Sequence, residues 1–80
     1  MASLPTRMKN LRESRRIYQR EIAETLGVTT RAYQFYESGR SEPNIKTLIA
    51  IADYFQVSID YLVGRTDVPG VNTGDAEDQT

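Results

Sequence analysis

Eighty residues with neither cysteine nor histidine exclude a disulfide framework, thiolate or imidazole metal sites, and His-based catalysis. No apolar run approaches the roughly 18 residues of a membrane span and no signal-peptide stretch opens the chain, so one small, soluble, cytoplasmic domain is expected, its thin core helped by a second subunit. The net charge of −1 conceals a split: residues 1–66 carry ten basic and seven acidic groups, whereas residues 67–80 carry four acids and no base.

Leu4, Met8 and Leu11 recur at i, i+4 and i+7 and predict a first helix, with Pro5 in its first turn and Ser3 or Thr6 as cap. Past the polar bend Ser14-Arg15-Arg16 and Ile17, a second helix is predicted over Gln19–Leu26. It buries Ile22, Ala23 and Leu26, and Gly27 supplies the left-handed residue that ends it. Thr29 caps a third helix over Thr30–Ser38, closed by Gly39. Asn44 caps a fourth helix of about eleven residues, marked by Ile45, Leu48, Ile51, Ala52 and Phe55. Ser58 caps a short fifth through Ile59 and Leu62, stopped by Gly64. Alternation at Val57–Tyr61 mimics a strand, but the Ser cap and Gly stop favour helix. The expected fold is an all-α, five-helix globule over residues 1–66. Residues 67–80, with little to bury, are expected as a disordered acidic tail.

Two short helices meeting across a tight turn at Gly27 form a helix-turn-helix pattern. At roughly 100° per residue, Ala32, Tyr33 and Tyr36 fall on the core side of the third helix, and Thr30, Arg31, Gln34, Phe35 and Ser38 on the other. That outer face has no obvious intramolecular use. Its groups suit the major groove of double-stranded DNA. Arg31 can grip guanine O6 and N7, and Gln34 can pair with adenine N6 and N7. Thr30 offers a hydroxyl and a methyl, and Phe35 an apolar surface for a thymine methyl. Phe35 can equally dock on the fourth helix or on a partner. The amide end of the second helix, with Arg16, Tyr18, Gln19 and Arg20, is a candidate phosphate contact, as are Ser38 and Arg40 past the reading face. The first forty residues hold eight bases against four acids, so this is the basic half of the chain. Arg12 lies on the side of the first helix that faces the end of the third, and a structural pair with Glu37 is expected. Glu13, Glu21 and Glu24 are scattered carboxylates, and no metal, cofactor or catalytic residue is implied.

Six blocks carry a family resemblance: Leu11-Arg12-Glu13, Gln19 to Thr29, Tyr36 to Arg40, Glu42-Pro43-Asn44, Leu48 to Ala52, and Val57 to Leu62. In that order and spacing, Leu4 to Arg65 resembles the lambda-repressor and Cro-like helix-turn-helix domain of the Xre regulators. The resemblance implies a non-enzymatic transcriptional regulator, a repressor, binding a palindromic operator as a homodimer. It also implies base contacts at Thr30, Arg31, Gln34 and Phe35, a phosphate and buttressing role for Gln19, and an Arg12–Glu37 ion pair. Antitoxins and restriction-modification control proteins use the same module. A protein-interaction module that keeps the fold without reading bases is the rival from another class. The sequence departs from the family pattern at three places. Tyr18 stands where Ser or Thr usually caps the second helix, and Arg16 and Gln56 stand where Gly is common. Left-handed backbone at those two residues would cost roughly 1 kcal/mol each. The surplus apolar residues Tyr54, Ile59, Tyr61, Leu62 and Val63 are the expected dimer surface.

Overall fold

The computed structural model describes residues 3–70. Five helices follow in order: α1 (Leu4–Ser14), α2 (Gln19–Leu26), α3 (Thr30–Ser38), α4 (Ile45–Phe55) and α5 (Ile59–Leu62). There is no strand among the described residues. The boundaries follow the local chemistry. Thr29 Oγ1 accepts from the Ala32 N–H at 3.0 Å, Asn44 Oδ1 from Thr47 at 2.8 Å, and Ser58 Oγ from Tyr61 at 2.9 Å. Each cap satisfies one of the orphan amides of a first turn.

Two starts differ from expectation. The Ser3 hydroxyl does not cap α1; it bonds Thr6 Oγ1 at 3.1 Å, and Pro5 provides the preset backbone instead. At α2 the Tyr18 side chain makes no cap hydrogen bond to the first turn. Glu21 makes the other half of the box, its Oε1 accepting from the Tyr18 N–H at 2.8 Å. The lost hydroxyl cap is thus partly replaced by a carboxylate near the positive end of the helix dipole.

Met8, Ile22, Tyr33, Ile51, Phe55 and Leu62 are the largest fully buried side chains, joined by Ala23, Ala52 and Val57. Every helix contributes to this core. Leu62 belongs to it wholly, at 0 % exposure, so it drops out of the expected dimer surface: its area is already used within the chain. Ile45 is corrected in the opposite sense. The α4 stripe does not include it, and it stands 75 % exposed one turn before the half-exposed Ile49.

Arg16 and Gln56 do adopt left-handed backbone, both at φ 57°. The strain that the resemblance implied at these two bends is therefore present.

Arg7 is a buried cation that the helical pattern did not reveal. Its Nη1 donates to the carbonyls of Tyr61 and Thr66, each at 3.0 Å, and its Nη2 to Asp67 Oδ1 at 2.7 Å. The guanidinium lies 3.8 Å from the Tyr61 ring centre. Just beyond, the Ser58 N–H donates to the Pro69 carbonyl at 3.0 Å. Arg7 of α1 and Ser58 at the start of α5 thus hold the chain that leaves α5 at Thr66, Asp67 and Pro69. Of the expected disordered tail, residues 71–80 lie outside the described residues.

Candidate nucleic-acid interface

The outer face of α3 is built as its periodicity required. Tyr33 is buried and Tyr36 half-buried, their rings edge to face at 6.4 Å. Arg31, Gln34 and Ser38 are exposed, and Thr30 and Phe35 half-exposed. Phe35 does not sink into the core; the Arg31 guanidinium lies 5.4 Å from its ring centre and that of Arg40 5.5 Å. All four expected base-reading side chains thus share one accessible surface.

A chain of hydrogen bonds ties this surface to the interior. Arg12 grips Glu37 with Nε to Oε2 at 2.6 Å and Nη2 to Oε1 at 3.1 Å, and its Nη1 donates to the Ile17 carbonyl at 2.9 Å. Glu37 Oε1 also accepts from Gln19 Nε2 at 3.1 Å, and Gln19 Oε1 accepts from Gln34 Nε2 at 3.2 Å. The expected ion pair is present and closes α1 onto α3. The buttressing role that the resemblance implies for Gln19 takes the form of its bond to Gln34 on α3; what sequence reasoning missed is that the Glu37 carboxylate orients Gln19 in turn.

Burial opposes ionisation of Glu37, but the hydrogen bonds led by Arg12 outweigh it and hold the carboxyl below its ordinary range. Burial, and after it the adjacent Glu37 carboxylate, push the Tyr33 hydroxyl well above its ordinary value. That hydroxyl is sealed close to Glu37 yet makes no well-formed hydrogen bond.

Of the candidate phosphate contacts, Tyr18, Arg16, Arg20, Ser38 and Arg40 are exposed, Tyr18 at 70 %. Arg16 and Tyr18 border a shallow hollow beside the start of α2, shared with Arg12, Glu13, Ile17 and Glu21. Glu21 already takes the Tyr18 amide there. The amides just inside α2 have no intrahelical partner and lie at the positive end of its dipole, an arrangement that suits an anion. Arg15 points elsewhere, donating to the Phe55 carbonyl at 2.8 Å, and serves the end of α4. No group of His, Cys, Asp and Glu able to hold a metal occurs among the described residues, and no described helix is long and apolar enough to cross a membrane.

A helix-turn-helix family model matches residues 8–62, which spans α1 to α5 and includes the whole network from Arg12 to Gln34. The chain belongs to the helix-turn-helix family. Its relatives include the uncharacterized HTH-type transcriptional regulator YqaE of Bacillus subtilis (strain 168). That relative is 43 % identical over 56 residues, which is 70 % of this chain and 48 % of YqaE. The cryptic phage CTXphi transcriptional repressor RstR of Vibrio cholerae is 37 % identical over 59 residues, 74 % of this chain and 53 % of RstR. The chain thus spans about half the length of these relatives. Among solved structures, the P22 c2 repressor in complex with a synthetic operator superposes with a TM-score of 0.74 at 28 % identity, covering 79 % of this chain and 96 % of that one. The five-helix arrangement is therefore the phage-repressor DNA-binding fold. Within this helix-turn-helix, α2 is the supporting helix and α3 presents the free polar face.

Proposed function

We propose that this helix-turn-helix protein is a sequence-specific DNA-binding transcriptional regulator, a repressor that occupies a palindromic operator as a homodimer. One observation carries the reading: Arg31 and Gln34 stand exposed on α3, with Gln34 held from behind by Gln19 at 3.2 Å. A surface amide tethered by a second amide is preorganised to meet a flat, patterned edge such as a base. The likeness to a repressor solved on its operator supports the same reading.

Thr30, Arg31, Gln34 and Phe35 read bases. Arg16, Tyr18, Gln19, Arg20, Ser38 and Arg40 contact phosphates and fix register. Two copies, joined through Tyr54, Ile59, Tyr61 and Val63, set their α3 helices about 34 Å apart, one turn of the duplex, so half-sites repeat at about ten base pairs. Occupancy of a promoter then excludes polymerase, with no catalytic step and no cofactor, in the cytoplasm at the nucleoid.

Selection from a random oligonucleotide pool followed by a salt titration tests this. An enriched inverted repeat is expected, with log affinity falling against log salt at about −0.9 per neutralised phosphate. Arg31→Ala should cost about 1–3 kcal/mol and relax preference at one base pair per half-site, whereas Arg40→Ala should weaken all sequences alike. A pool that yields no enriched sequence favours the protein-interaction module instead. Sedimentation with and without the operator reads the two-to-one stoichiometry.

A further inference from the structure

The cluster of Arg31, Phe35 and Arg40 is an aromatic ring attended by two guanidinium groups, at 5.4 and 5.5 Å from its centre. Cations gather at a ring because of its quadrupole, and the consequence here is positional. Arg31 and Phe35 are four residues apart on α3, about 6 Å along the helix. Residues at that spacing are neighbours on the helix surface, and the guanidinium lies 5.4 Å from the ring centre. The planar donor fork and the apolar ring are thus presented to a duplex as one composite edge.

We propose that each half-site contains a guanine immediately adjacent to a pyrimidine bearing a 5-methyl group, read together by Arg31 and Phe35. This rests on the base-reading function proposed above and narrows it to a dinucleotide step. The argument is one of spacing. A guanidinium that grips guanine O6 and N7 has the ring centre 5.4 Å away and the ring edge nearer, which puts that edge over the neighbouring base, since stacked bases rise about 3.4 Å. The ring carries no donor, so in the major groove its complement is the one apolar group found there, the C5 methyl of a pyrimidine. Phe35 is half-buried, which anchors the ring body and leaves part of it to cover the methyl. Arg40 lies at a similar distance from the ring centre, 5.5 Å. Thymine supplies the methyl in unmodified DNA and 5-methylcytosine supplies it in modified DNA.

The test uses the full chain and synthetic duplexes derived from its selected operator. Uracil in place of thymine at the step removes one methyl and should weaken binding about four-fold, the value of one buried methyl-sized group. Elsewhere in the half-site the same exchange should change nothing. At a site carrying cytosine beside the guanine, 5-methylcytosine should bind about four-fold more tightly than cytosine if the methyl alone is read. Both effects should vanish in Phe35→Ala. The uracil exchange on the unaltered protein needs no variant to fold. No loss with uracil overturns the inference, and so does an equal loss in Phe35→Ala. A selected operator without such a step overturns it while leaving the regulator reading intact; a pool with no enriched sequence overturns both. Equal affinity for cytosine and 5-methylcytosine at the site also overturns the inference, because the added methyl then contributes nothing.

Discussion

Gln34 Nε2 donates to Gln19 Oε1 at 3.2 Å, across the turn that separates α2 from α3. The bond uses one of the two amide protons of Gln34 and leaves the other, with the side-chain oxygen, facing outward. If this tether orients a base-reading amide, Gln19→Ala and Gln34→Ala should not be additive in operator binding. A double-mutant cycle should give a coupling of about 0.5–3 kcal/mol, measured by titration at fixed salt. A coupling near zero would mark the contact as incidental.

Arg12 and Glu37 should behave differently, as a stability pair. Their side chains are 13 % and 5 % exposed, and removing the cation leaves a buried carboxylate unpaired. Arg12→Ala should cost about 3–5 kcal/mol in urea unfolding, a large share of what so small a domain possesses. Replacing both partners by apolar residues of similar size should cost much less.

The same pair sets the acid limit. Glu37 has a folded pKa below its unfolded one, so its contribution is complete above the ordinary carboxyl value of about 4.3 and is lost as pH falls toward the depressed folded value. Stability followed by thermal melts should stay level through neutrality and decline below that point. Glu37→Gln should show a shallower decline.

Tyr33 sets the alkaline limit with the opposite sign. Its folded pKa is raised, so its contribution is complete below the ordinary value of about 10 and fades as pH rises beyond it, because the unfolded chain sheds a proton that the folded chain retains. Its hydroxyl is buried without a partner. Tyr33→Phe should therefore raise the melting temperature at neutral pH and flatten the alkaline decline. A loss of stability would show that the hydroxyl serves Glu37 after all.

Gln56 ends α4 in the left-handed region, φ 57° and ψ 48°. Glycine there removes the Cβ clash, and Gln56→Gly should stabilise by about 1 kcal/mol, read as a rise in urea midpoint at constant slope. Gln56→Ala, which keeps the Cβ, should not.

Most of the fold was legible in the chain, and so was the accessible placement of Thr30, Arg31, Gln34 and Phe35 on α3. The helices announce themselves through local chemistry: in α3, α4 and α5 a Thr, Asn or Ser that bonds an amide three residues on, in α1 to α4 an apolar repeat, and at the ends of α2, α3 and α4 a glycine or other left-handed residue. The outward face of α3 follows from its period once Tyr33 and Tyr36 are assigned inward. Illegible were Arg7, whose partners lie more than fifty residues away, and the burial of Leu62. Neither has a local signature, since an arginine on a helix and a leucine near a terminus are compatible with exposure.

The amino-acid order alone therefore determined where helices start and stop and which way each one faces, because caps and periodicity act within a few residues. Only the tertiary structure decided that Glu37, Gln19 and Gln34 form one line of hydrogen bonds, and that the chain after α5 is held by Arg7 and Ser58. Those contacts bond side chains and carbonyls brought together by packing, at distances along the chain over which no local preference acts.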